Sequence, residues 1–562
     1  MPCSATSQYK HAGLLGDIMQ LGSLDLIILA FYAIGLFALA LWVSREPAGQ
    51  KKNTEDYFLA GKSLPWWAIG ASLIAANISA EQIIGQSGQG YVVGLAIAAY
   101  EWQAAIVLLI VAAFFLPIFL KRGVYTMPQF LQQRYGNGVK TIMSVYWIAL
   151  YTLVNLTTVL WLGGLAVESL TGLSIFWSMA ALAAFATLYS IYGGLKAVAL
   201  TDIIQVVILI IGGIAVTIIS LNLVGGDNGA LAGLGRLKAE VPGHFKMMLS
   251  QDHPNYGDLP GIWTLLGGLW VLHFSYWGFN QYIIQRALGA ESLAEAQKGL
   301  AFAALLKFLI PVIVVIPGIA ALLLTKDAFG AQLDAQLLDP TMCAEIGNAA
   351  TCGKPDRSYG ELMRLMPEGL RGVVFAALIA AIVSSLASMM NSISTIFTMD
   401  IYKDVKSDKS QNHYVTVGRV TAFLAMFIAL LAAQPFQQGF ESGFQTVQEY
   451  TGFIAPGIVG VFLFGFFWKR ANTAGAFAIL IGSVAMNIAL KIGAGDMPFV
   501  IRVWLVFMGC LIMGMIATLA RPAPAEHQVI KLDDIDFSTQ KGFKIASVII
   551  VLLLIAVYVI FW

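Results

Sequence analysis

Residues 74–82 read IAANISAEQ, and they place Asn77, Ser79, Glu81 and Gln82 inside the run 66–85, which is otherwise apolar and long enough to span a bilayer. In hydrocarbon each unsatisfied polar group costs several kcal/mol, so such a cluster must face protein or water. A polar interruption in mid-span is how transporters bind small solutes and ions, using backbone freed from the helix. A Ser/Asn kink held against a neighbouring helix is the plainer alternative.

Working outward, the chain of 562 residues is 58% hydrophobic and 12% charged, with a mean hydropathy of +0.76. A soluble domain carries about 25% charged residues. The composition therefore implies an all-α polytopic membrane protein. A net charge of +1 argues against a nucleic-acid partner, and no separable soluble domain is evident. The longest polar stretches are 225–260, 325–370 and 521–544. Residues 1–23 are polar and run directly into an apolar span, which reads as a helix that stays rather than a cleaved leader.

About fourteen spans are expected: 24–43, 66–85, 95–120, 139–170, 175–192, 198–224, 261–284, 300–324, 372–397, 415–433, 446–468, 474–492, 501–520 and 546–562. With the N-terminus outside, nineteen Lys and Arg fall in cytoplasmic loops, Arg286 among them, against Lys10 alone in the short external segments. That asymmetry predicts a multi-pass cell-membrane protein with both termini outside. It puts Cys343 and Cys352 in one external loop, where an oxidised pair and two free thiols are both readable.

Two sets of five spans open on unusually polar or Gly-rich helices, 66–85 and 261–284. An odd number of spans per set makes the sets antiparallel, the logic of inverted repeats with a site where two interrupted helices meet. The expected organisation is an N-terminal extra helix and cytoplasmic loop (1–65), a first repeat (66–224), an external loop (225–260), a second repeat (261–468, with an external loop at 325–371) and C-terminal extra helices (469–562).

Four further clusters carry chemistry. Glu101 lies roughly 9 Å, and Lys307 about 10 Å, into their spans at 1.5 Å per residue. Each is a candidate solute contact; a snorkelling lysine or a structural Glu101–Lys307 salt bridge would account for them equally. Ala381, Ser384 and Ser385 share one helix face at i, i+3 and i+4. Set against loosened carbonyls at Ala75 and Ile78, they make an all-oxygen site suited to Na⁺, although small residues also serve helix packing. Finally, His273, Tyr276, Trp277, Asn280 and Gln281, with Asn155, Phe444 and Gln448, combine aromatic faces with amides. Such a set suits a polyhydroxylated ligand, whose hydroxyls both donate and accept. An interfacial aromatic belt is the alternative for Trp and Tyr.

The stretches WWAIGASLIAANISAEQ, YSIYGGLKAVALTDIIQ, YWGFNQYIIQR, AALIAAIVSSLASMMNSISTIFTMDIYKD and VQEYTGFIAPG closely resemble the sodium/solute symporter family, in particular its bacterial sodium/galactose (sodium/glucose-type) branch. The likeness runs from about residue 56 to 470 and continues more weakly beyond. It implies ten core helices in two inverted five-helix repeats and Na⁺-coupled sugar uptake by alternating access. It would place sugar hydrogen bonds on Gln82, Glu101, Asn155, Lys307 and Gln448, with Tyr276 stacking on the sugar as inner gate and Trp277 beside it. Tyr100 and Phe444 would form the outer gate. Sodium would sit on the carbonyls of Ala75, Ile78 and Ala381 and the hydroxyls of Ser384 and Ser385, and Asp202 would lie on the ion's exit route; a helix N-cap is an equal reading of Asp202. Two positions depart from the branch. Gln86 stands where an apolar methionine completes the outer gate, and His273 where an asparagine lines the sugar site. Either a pH dependence or a neutral hydrogen-bonded histidine could follow.

The same fold could instead carry myo-inositol, an amino acid, a carboxylate or a vitamin. No Arg is expected mid-span near the site, which favours a neutral, hydroxyl-rich solute. A membrane sensor would want a fused signalling domain, and a membrane enzyme a metal-ligand cluster or nucleophile motif; neither signature is present in the sequence. The expected partners are a small solute, Na⁺ and the bilayer, with no obligate protein partner.

Overall fold

The two most polar expected spans do not form continuous helices. In this computed structural model, which describes residues 21–43, 54–326, 329, 332–339, 353–436 and 442–562, the first runs as a helix Trp66–Asn77 and stops. Ile78 is extended (φ −77°, ψ 95°), and a π-helical turn Glu81–Gly85 follows, leading into the helix Gln86–Val93. The polar residues make this break. Ser79 donates both its backbone N–H (3.1 Å) and its hydroxyl (2.9 Å) to Gln82 Oε1, and its Oγ accepts from the Glu81 N–H (3.0 Å). Short side-chain bonds of this kind compete with the helical ladder, leaving the Ala75 carbonyl without its usual partner at Ser79.

The second broken helix is built alike from different residues. Leu269–His273 continues into a π-helical turn, Phe274–Phe279, and stops at Asn280 (φ −75°, ψ 126°). The Asn280 side chain then caps Gln281–Leu288 by accepting from the Tyr282 N–H (3.2 Å). Tyr151 braces the break from another helix: its hydroxyl donates to Asn280 Oδ1 (2.8 Å) and accepts from the Gln281 N–H (2.9 Å). The two breaks meet, since Asn77 Nδ2 donates to the Tyr276 hydroxyl at 3.1 Å.

The architecture is all-helical; among the described residues the only β feature is one isolated bridge, Leu64 to Ala290. Nine helical stretches among them are long and apolar enough to cross a membrane, and ten with the pair Gly443–Gly452 and Ala455–Phe467, bent by 44°. The count of fourteen is not confirmed among the described residues: the expected spans 66–85 and 261–284 are broken, while 24–43 and 175–192 fall in the helices Ser23–Val43 and Ile175–Gly225.

One helical run, Ile175–Gly225, covers two expected spans. Its contacts with the long helix Leu370–Ile396 double back. Leu182 sits beside Gly163 together with Ile382, and Ser190 donates to the Ala387 carbonyl; farther on Asp202 meets Ser384, and Gly212 lies against Ala377 and Val374. The chain thus travels up Leu370–Ile396 and returns along it. Cys343 and Cys352 lie outside the described residues, and so does the oxidised pair expected of them; within those residues Cys510 is a buried free thiol.

Candidate functional site

Three π-helical turns converge on one cavity. Glu81–Gly85 supplies Glu81 and Gln82, Leu150–Leu156 supplies Leu150 and Asn155, and Phe274–Phe279 supplies Tyr276 and Trp277. Such turns widen a helix by one residue and aim side chains that a regular helix would turn away. All eight expected solute contacts line this cavity: Gln82, Glu101, Asn155, His273, Tyr276, Trp277, Lys307 and Gln448. The expected gate residues Gln86, Tyr100 and Phe444 line it too.

Gly94 explains how Glu101 returns to face Gln86. Its φ of +67° turns the chain after Gln86–Val93, and a Cβ there would lie 2.3 Å from the His244 carbonyl oxygen. Lys307 sits where the helix Leu293–Leu306 gives way to Ile310–Leu324. It donates to Glu101 Oε2 (2.5 Å) and to Asn77 Oδ1, with its ammonium 4.4 Å above the Trp277 ring. The buried Glu101–Lys307 salt bridge is thus formed, and it lines the cavity at the same time. Gln86 Nε2 donates to the other Glu101 oxygen (2.7 Å), and Gln448 Nε2 donates to Glu81 Oε1 (3.0 Å). Gln82 commits its carbonyl to bracing the break, which leaves its amide donors for a ligand.

Aromatic rings line the cavity. Tyr100 packs edge-on against Phe444 at 4.9 Å between centroids. Tyr276 receives a hydrogen bond from Tyr282 (2.6 Å) and packs edge-on to Trp277 at 5.0 Å.

Of the five expected oxygen ligands, the Ser384 and Ser385 hydroxyls have described partners beside the first break. Ser385 Oγ donates to the Ala76 carbonyl (3.0 Å), one residue from the Ala75 carbonyl that the break frees. Ser384 Oγ donates to Asp202 Oδ1 (2.5 Å). Each hydroxyl gives away its proton and keeps lone pairs, so with the carbonyls of Ala75, Ile78 and Ala381 the donor set is oxygen only, the chemistry a hard cation wants. Asp202 lies inside the helix Ile175–Gly225 and is bonded to Ser384, so it is not an N-cap.

Arg286 is the residue sequence reasoning misplaced. Counted with the loop cations, it is instead buried, with 1% exposure, and ion-paired to Asp202 (3.4 Å). Its Nε donates to the Ser72 carbonyl (3.0 Å) and hydroxyl (2.6 Å), Nη1 to the Tyr282 carbonyl and Nη2 to Ser388. Arg286 is thus buried beside the Asp202–Ser384 contact, whereas, among the described residues, no arginine lines the cavity itself. Asp202 was the available signal, because a carboxylate inside a span needs a cation. Leu150, Leu272, Val447 and Thr451 also line the cavity, and nothing marks them in sequences already rich in such residues.

Residues 57–482 match the model of the sodium:solute symporter family. Over 549 residues the chain is 48% identical to the sodium/glucose cotransporter of Vibrio parahaemolyticus, covering 96% of this chain and 99% of that one. It is 32% identical over 478 residues to the sodium/myo-inositol cotransporter 2 of Homo sapiens, covering 83% and 69% respectively. Among solved structures, a substrate-bound, outward-open Na⁺-coupled sialic acid symporter shares the fold, with a TM-score of 0.76 at 22% identity over 90% of this chain and 99% of that chain.

Proposed function

The chain belongs to the sodium:solute symporter family, and on that premise we propose that it takes up a neutral monosaccharide such as galactose or glucose together with Na⁺ by alternating access. Family and relatives make it a membrane transporter and not an enzyme. The observation that carries the sugar reading is the cavity itself: amides, a carboxylate–ammonium pair and aromatic rings surround one space where two broken helices touch. Its one lining cation, Lys307, is already paired with Glu101. An anionic solute would have to compete with that carboxylate, whereas hydroxyls can donate and accept around the pair.

In this reading Gln82, Glu101, Asn155, His273, Lys307 and Gln448 bind the sugar, and Tyr276 stacks on its apolar face with Trp277 beside it. Tyr100, Phe444 and Gln86 gate the outer side. Na⁺ binds Ala75, Ile78, Ala381, Ser384 and Ser385, then leaves past Asp202. The ion ties the first break to the helix Leu370–Ile396, and the residues that hold that break, Ser79 and Gln82, reach the sugar cavity within four positions. Ion and sugar therefore order the same turn. Moving one charge across ~100 mV releases about 2.3 kcal/mol. At about 1.4 kcal/mol per decade, that alone would sustain a sugar gradient on the order of 50-fold.

Support for inverted repeats comes from the paired breaks, and the charge asymmetry of the loops supports both termini outside. Counterflow into proteoliposomes, with and without Na⁺, using galactose, glucose, myo-inositol and proline, tests the reading. Na⁺-dependent accumulation of a hexose is expected. Accumulation of proline alone, or hexose uptake indifferent to Na⁺, would overturn it. The relative named for myo-inositol makes that solute the informative competitor.

A further inference from the structure

Four buried polar atoms on the cavity wall have no hydrogen-bond partner: Gln86 Oε1, Tyr100 OH, Asn155 Oδ1 and His273 Nε2. Buried polar groups are nearly always satisfied, so a cluster of orphans on one wall marks where a ligand's groups are awaited. One of the four has its chemistry fixed by the bond its side chain does make. Glu101, paired with Lys307, can only accept, so Gln86 must turn its NH₂ toward it and its carbonyl away. His273 Nε2 is an unpartnered ring nitrogen beside it, able to donate or accept according to its tautomer. Both side chains are buried, Gln86 at 0% and His273 at 4% exposure. They lie at the same end of the cavity, flanking Tyr100: His273 stands 6.3 Å from its ring, and Gln86 is bonded to the adjacent Glu101.

We propose that Gln86 is a solute-recognition residue as well as a gate residue, and that its carbonyl presents a fixed acceptor that selects for a free hydroxyl donor at the Tyr100 end of the solute. The proposal rests on the sugar-symport reading and sharpens it. The selected class is a neutral polyol or hexose with unsubstituted hydroxyls at that end. An analogue that has lost such a hydroxyl leaves a buried acceptor unpaired, which lowers its affinity roughly 5- to 150-fold.

The test uses the full-length transporter in proteoliposomes, with the transported hexose or inositol as label and its singly deoxy and singly deoxyfluoro analogues as competitors. Fluorine accepts weakly and cannot donate. The unmodified protein should therefore reject the deoxy and the deoxyfluoro analogue alike at one position. Gln86→Met should flatten the discrimination at that position to less than threefold while leaving the half-saturating Na⁺ concentration measured without solute unchanged. Fluoro analogues that bind like the parent would overturn the proposal without any variant. A Gln86→Met protein that weakens every analogue equally would also overturn it, reducing Gln86 to a positioning residue for Glu101. These outcomes differ from failure of the underlying reading, in which no hexose or polyol competes at all.

Discussion

Two buried polar networks lie on either side of the first break, and one is finished where the other is not. Around Asp202 and Arg286 the described bonds close on themselves. Asp202 accepts from Ser72 (2.5 Å), Ser384 (2.5 Å) and Arg286, and every guanidinium nitrogen of Arg286 donates. In the cavity four polar atoms still lack a partner. Low dielectric makes satisfied networks rigid and unsatisfied ones costly. The Asp202–Arg286 cluster therefore holds a conformation, while the cavity wall keeps four polar atoms without a protein partner. Ser384 and Ser385 stand between the two, which is where an ion would have most leverage over both.

The largest effect is expected from breaking the finished network. Arg286→Ala leaves Asp202 buried without its cation and should cost about 3–5 kcal/mol. The midpoint of thermal unfolding in detergent reads this out. Removing both partners, Asp202→Ala with Arg286→Ala, should recover most of the loss; a double variant no better than the single would mean the two residues do not act as a pair.

Next comes the unfinished network. Gln448→Glu replaces a donor by a second carboxylate against Glu81 and should weaken solute binding by at least about tenfold, a loss of roughly 1.4 kcal/mol or more. Lys307→Ala should weaken it too, by stranding Glu101. Solute titration of the purified protein checks both, and unaltered affinity in both would remove this wall from the site. Between the networks, Ser385→Ala removes one hydroxyl of the oxygen set. It should raise the half-saturating Na⁺ concentration roughly 3- to 10-fold, in keeping with one bond of about 0.5–1.5 kcal/mol. An unchanged Na⁺ requirement would place the ion elsewhere.

The smallest effect is expected at the rim. Asp356, on the turn Pro355–Arg357, is buried between Gly88 and Gly443, accepting from the Gly443 N–H at 2.8 Å. Its other oxygen lies against Gly88 without a partner, and Lys354 and the Glu168–Arg357 pair are the charges nearby. Burial pushes its carboxyl up to about 7, with the Gly443 N–H and Lys354 pulling it down. The packed contact therefore binds a proton that the loosened one releases between about pH 4 and 7. Its stability is present at low pH and lost as pH rises through about 7, by at most about tenfold per pH unit. Hydrogen exchange of the helix Gly443–Gly452 should show that dependence, and Asp356→Asn should abolish it. A dependence that survives the substitution would point to another group.

Much of this contrast was readable from residue order alone. The first break falls at Ile78 because Ser79 and Gln82 bond locally, and those were the residues that marked the stretch. The second break was legible from glycines and amides, although Asn280 as its pivot was not singled out. Pairings across breaks were not legible. Gln86 meets Glu101 only because Gly94 takes a positive φ between them, and Arg286 is drawn inward because the helix after Asn280 restarts deep in the protein. Hydropathy counted both broken helices as spans, because composition registers an apolar run whether or not its backbone is continuous; where each run breaks is set by local side-chain bonds.

The central claim is that one ion and one solute order the same broken turn. The most direct measurement is the solute's dissociation constant, by calorimetry of the purified protein, at zero and saturating Na⁺, paired with the half-saturating Na⁺ concentration with and without solute. The account predicts that Na⁺ tightens solute binding by roughly 5- to 150-fold and that solute tightens Na⁺ binding by the same factor, as linkage requires. Solute binding that is equally tight without Na⁺ would contradict it.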